Sequence, residues 1–153
     1  MVFNGTLSGA LKDPIVNGHA ELASLLINQR DVGSLTANIA STGAETRITD
    51  GRLVQASGGS AQFALVIPRI GKDNISIDAK LDRFGGPISL PFKLRVDKDI
   101  TIDAPISGQI QVAGLTKNMN GVADVRFGSG NIAGEPLQSG SARATFSRFD
   151  GEY

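Results

Sequence analysis

His19 is the only imidazole in the chain and the first residue whose type admits chemistry. A catalytic histidine needs an acid to orient it and a hydroxyl or water to act on. Asp13 and Glu21 are the acids closest to it in sequence. On a strand, His19 and Glu21 stand two apart and share a face, which is the pattern of a solvated surface. Asp97, Asp99 and Asp103 in VDKDITID invite comparison with a cation loop. That stretch lacks the central glycine and terminal glutamate of an EF-hand, and Lys98 separates its first two acids. Charges spaced along a solvated strand edge account for it better. Ser8, Ser34 and Ser60 flank glycines, yet no G-x-S-x-G elbow is present. With no cysteine, neither a disulfide nor a thiolate metal site can form, and one histidine alone cannot hold zinc. The glycines form neither phosphate-binding fingerprint. The chain is therefore expected to be a non-enzyme with no catalytic residue, no metal and no cofactor.

The elements that would position any site are strands. Period-two alternation runs along most of the 153 residues and puts alternate side chains on one face. Ala61, Phe63, Leu65 and Ile67 form one such set, and Ile75, Ile77, Ala79 and Leu81 the next. The clearest is ISLPFKLRV, with Ile88, Leu90, Phe92, Leu94 and Val96 together and Pro91 on the polar side. That proline predicts an edge or a bulge, because it cannot donate to a ladder. Ile110 with Val112, Val125 with Phe127, and Ala142, Ala144 with Phe146 complete the expected apolar lining. GHAELASLLINQR is the one stretch with helix-like spacing; its resemblance to a later, helix-poor stretch favours a strand there too.

Nineteen glycines separate these runs. Their spacing, often about 8–12 residues, predicts roughly ten to thirteen short strands. Asn17–Gly18, Asp50–Gly51 and Asn120–Gly121 have the composition of hairpin turns and are expected to join strands. NGHAEL at 17–22 echoes NGVADV at 120–125, and a looser likeness extends the echo over 17–39 and 120–144. Such an echo suits a body built from repeated strand units.

Fifteen basic residues balance fifteen acidic ones. Nucleic-acid binding, which calls for a basic stripe, is not expected. No apolar run approaches the roughly 18 residues that span a bilayer as a helix. The first residues lack the basic-then-apolar order of a signal peptide. The final SRFDGEY stops within an alternating pattern, so a single segment, 1–153, of a longer repetitive body is expected.

Three stretches resemble the repeating body of the TamB family, within the AsmA-like group of bacterial envelope proteins. They are FNGTLSGALKDPIVNGHAEL (3–22), DGRLVQASGGSAQFAL (50–65) and GSGNIAGEPLQSGSARATF (128–146). The likeness covers most of the chain and is loosest between Arg83 and Pro105. It implies a long sheet folded over into a taco or half-pipe with an apolar inner face. It also implies a periplasmic segment of a protein anchored in the inner membrane of a Gram-negative cell. Phospholipid acyl chains would be its cargo, outer-membrane protein assembly a linked role, and a TamA-like barrel the partner of the full-length protein.

Alternation is shared by three all-β architectures. An open trough leaves the apolar face uncovered, a β-sandwich buries it under a second sheet, and a parallel β-helix stacks it in coils. The sandwich or solenoid would serve as a structural or binding module of a surface or secreted protein. The absence of tryptophan, a frequent plug of packed sandwiches, leans toward the trough. A segment cut from a continuous sheet would also have free edges, near 3–11 and 142–146, that self-associate.

Overall fold

A computed structural model of the chain describes residues 1–10, 12–27, 30–69, 74–85, 88–90, 100–115 and 118–149. Strands and turns make up these residues, with no helix among them. There are thirteen strands: β1 (Val2–Ala10), β2 (Asp13–Ile27), β3 (Arg30–Ser41), β4 (Glu45–Val54), β5 (Ser60–Pro68), β6 (Ile75–Phe84), β7 (Ile88–Leu90), β8 (Ile100–Asp103), β9 (Ile106–Leu115), β10 (Asn118–Phe127), β11 (Gly130–Ile132), β12 (Glu135–Leu137) and β13 (Gly140–Phe149). Nine of them form one sheet in the order β1-β2-β3-β4-β5-β6-β9-β10-β13, and four form a smaller sheet in the order β12-β11-β8-β7. The large sheet does not close into a barrel, because β1 and β13 stand at opposite edges.

Every pairing among the described residues is antiparallel, unlike the parallel coils of a β-helix. Among the described residues, the small sheet meets the large one at a corner. There Ile132 of β11 and Leu137 of β12, together with Leu81, Val125 and Phe127 of the large sheet, pack against Ala104 and Ile106. Ala104 and Ile106 are both buried there, at 2% and 6% exposure. The fold is thus a large antiparallel sheet folded over on its apolar side.

The three Asx–Gly dipeptides expected to turn the chain lie inside strands instead: Asn17–Gly18 in β2, Asp50–Gly51 in β4 and Asn120–Gly121 in β10. Asp50 sits at φ 51°, where β4 carries one more residue than β3 and β5 opposite it. That is a β-bulge, which bends a strand and increases its twist. Gly18 lies under the ring of Phe3, and Gly121 borders a register shift against β13. Other residues make the actual turns. Ala133 and Gly134 both have positive φ between paired Ile132 and Glu135, the geometry of a two-residue type I′ hairpin.

The helix-like spacing in β2 also has a cause. Its register against β3 shifts between Leu22 and Leu25 and again between Leu25 and Leu26. Unpaired residues inserted there move the apolar positions out of strict alternation.

The corner between β4 and β5 is fastened by one side chain. Gln55 Nε2 donates to the Gly85 carbonyl (2.6 Å), and Gly85 N–H donates back to Gln55 Oε1 (2.7 Å). Gly59 fits beneath because a Cβ there would strike the Arg83 carbonyl. Truncating Gln55 leaves both partly buried Gly85 groups unpaired, a loss of about 1–3 kcal/mol. Gln55→Ala is therefore expected to lower the unfolding free energy measured by urea titration by that amount, whereas Gln62→Ala on the exposed face leaves it unchanged.

Candidate functional site

Directly opposed residues on neighbouring strands place their side chains on the same face. The register therefore assembles the apolar positions into rows that cross the sheet. Leu22, Leu35, Leu53, Ala61, Leu81, Gly108, Val125 and Ala142 are successive partners from β2 to β13. A second row starts at Gly5 and Gly18 and continues through Ile39, Ile48, Leu65, Ile77, Val112 and Gly121 to Phe146. A third joins Phe63, Ala79, Ile110, Ala123 and Ala144. No charged residue interrupts any of them.

Two phenylalanine rings cover glycines on this face. Phe3 lies over Gly5 and Gly18, and Phe63 lies over Gly51. A ring lying on a strand glycine replaces the packing that the missing side chain would have supplied.

Among the described residues, a second layer covers this face at the corner formed by β6, β9 and β10. Phe63, Leu65, Ile77, Ile110 and Val112 are half-buried, and Ile67 is 45% exposed. Toward β1, Phe3 and Leu7 are 45% and 75% exposed. No large side chain among the described residues is fully buried. A filled sandwich would bury these positions.

The opposite face is polar. Arg52, Gln62, Lys80, Gln109, Asp124 and Arg143 follow one another in register. Gln111 Nε2 donates to Asp78 Oδ2 at 3.1 Å. An open depression of about 550 Å³, bordered by Asp50, Arg52, Asp78 and Lys80 among others, mixes both signs of charge.

His19 belongs to this polar face. The Asn38 amide donates to Asp50 Oδ2 at 2.9 Å, which turns its carbonyl oxygen toward His19. His19 Nδ1–H donates to that oxygen at 2.7 Å. Glu21 Oε1 lies 3.5 Å from Nε2, with both side chains well exposed. The imidazole thus serves as a cross-strand link between β2, β3 and the β4 bulge. Its side-chain partners among the described residues include no hydroxyl. Asp103 is exposed, while Asp97 and Asp99 lie outside the described residues. Among the described residues, no three His, Asp or Glu side chains converge as metal ligands.

Of the apolar lining expected from sequence, the positions on β5, β6, β9, β10 and β13 belong to the large sheet. Ile88 and Leu90 lie in β7 of the small sheet, apart from those rows, and Phe92, Leu94 and Val96 lie outside the described residues. The expected set omitted Leu22, Leu35, Ile39, Ile48 and Leu53, which extend the rows across β2, β3 and β4. Alternation in SLTANIA carried part of that signal, through Leu35, Ala37 and Ile39. In β4 the bulge at Asp50 hid it, putting Ile48 and Leu53 in the rows despite their odd separation.

Fold and face together define an all-β module with an open, folded-over sheet, polar on one side and apolar on the other. Comparison with protein-family models, with curated proteins and with solved structures finds no match.

Proposed function

We propose that this chain is a non-enzymatic segment whose apolar face seats phospholipid acyl chains, in a TamB-like body that bridges the inner and outer membranes. In the full-length protein, a TamA-like outer-membrane barrel is the docking partner, and outer-membrane protein assembly is the linked role. The observation that carries this reading is the set of uncharged rows crossing eight and nine strands, with many of their apolar side chains half-buried or exposed among the described residues. An acyl chain in water costs about 0.8 kcal/mol for each CH₂ left exposed, so a continuous apolar surface removes a large barrier to its passage. Aliphatic side chains and alanine make few directional contacts, which suits a cargo that slides. The polar face keeps the outside of the sheet wetted.

The test is solvent extraction of the protein purified from a Gram-negative host, followed by mass spectrometry of the extract. Phospholipid at a fixed ratio to protein, surviving detergent-free gel filtration, is the expected result. A lipid-free protein that also takes up none from phosphatidylethanolamine–phosphatidylglycerol vesicles overturns the reading.

A further inference from the structure

Among the described residues the two sheets present four edges, and three of them are blunted in recognisable ways. β7 and β12 are three residues each, and β12 contains Pro136. β13 carries Arg143 and Arg148, and its register against β10 is broken between Met119 and Gly121. β1 has none of these features. Its nine residues, VFNGTLSGA, include no charge and no proline, and all are exposed. It pairs with β2 through nine consecutive partners without a shift, and among the described residues nothing pairs with its other side.

The strand count limits what can be added there. Nine antiparallel strands make β1 and β13 run in the same direction. Head-to-tail joining of two copies would therefore give a parallel β13–β1 pair. An antiparallel pair that keeps both apolar faces on one side requires like edges, related by a two-fold axis normal to the sheet. Two β13 edges would bring four arginines onto two adjacent strands. Two β1 edges bring no charge at all.

We infer that β1 pairs antiparallel with β1 of a second copy of this chain, producing one continuous sheet with a shared apolar face. Gly9 bends the end of the strand at φ 87°, so its regular part is Val2–Ser8, centred on Gly5. Centring the two-fold axis there sets Gly5 against the partner's Gly5, Phe3 against the partner's Leu7 and Asn4 against the partner's Thr6. The two most exposed apolar side chains of the edge strand's inner face, Phe3 and Leu7, then cover each other. The row that begins at Gly5 continues unbroken into the second copy. A single strand pair makes a small interface, so the dimer is concentration-dependent. This inference rests on register and charge and is independent of what occupies the apolar face.

The experiment uses the full chain, which contains no cysteine. Sedimentation velocity over a hundredfold concentration range is expected to show a monomer–dimer equilibrium. Leu7→Lys, at an exposed position, should weaken dimerisation at least tenfold, while Ala144→Lys on β13 leaves it unchanged. An equimolar mixture of Asn4→Cys and Thr6→Cys chains should form the mixed disulfide in preference to either homodisulfide, because directly opposed Cα atoms lie about 4.5–5.5 Å apart. A strict monomer at every concentration overturns the inference. So does a dimer that resists Leu7→Lys, or cross-linking through Arg143→Cys in place of the β1 pair.

Discussion

Ile106→Asp is expected to abolish cooperative folding, whereas Leu65→Asp leaves the chain folded. Both replace an aliphatic side chain on the same face of the large sheet. Ile106 is 6% exposed beneath the small sheet, in contact with the cluster that includes Ile132 and Leu137. An unpaired carboxylate there costs several kcal/mol, against a total stability of about 5–15 kcal/mol for a domain. Leu65 is half-buried on β5, away from that corner, where a carboxylate keeps much of its water. Urea titrations followed by far-UV circular dichroism measure both. An equal loss in the two variants would mean that the face is filled along its whole length.

Gly108→Ala carries the second large effect. Gly108 lies between Leu81 and Val125 in the leucine-rich row, at φ 147°, a conformation that L-residues rarely adopt. An added Cβ would also meet the Asp124 carbonyl oxygen and approach the Val125 Cα at 2.8 Å. Those atoms are backbone of the neighbouring strand and cannot rotate away. Strain and overpacking together predict a loss on the order of 2–4 kcal/mol. Gly58→Ala is the informative companion, since its φ of 90° is also unfavourable but nothing lies within 4 Å. Its penalty should be the smaller of the two, and thermal melts of the pair separate strain from crowding. If the two variants melt alike, the close approach at Gly108 contributes nothing.

Strand identity was legible in the sequence wherever the register is unbroken. The β5, β6, β9 and β10 runs alternate cleanly, and the structure pairs Ala61 with Leu81, Phe63 with Ala79 and Leu65 with Ile77. Bulges defeated the reading elsewhere. The shifts after Leu22 gave β2 a spacing close to helical, and the extra residue at Asp50 split the apolar positions of β4 between odd and even numbers. Asx–Gly dipeptides misled for a related reason. The glycine tolerance that suits a hairpin turn also suits a bulge or a position under a phenyl ring, so Asp50–Gly51 and Asn17–Gly18 could not be told from turns by composition. The covering of one corner by the small sheet had no local signature, because β11 and β12 are three residues each. Whether the apolar face is filled or open depends on that long-range packing, which alternation does not encode.

Site-specific photocrosslinking addresses the central claim most directly. A benzophenone side chain at Leu65 or Ile77 would sit on the apolar face, and one at Gln62 or Asp78 on the polar face of the same two strands. Illumination in a Gram-negative host, followed by mass spectrometry, should yield phospholipid adducts at Leu65 and Ile77 and none at Gln62 and Asp78. Equal labelling of both faces, or no adduct at either apolar position, would contradict an acyl-chain seat on this sheet.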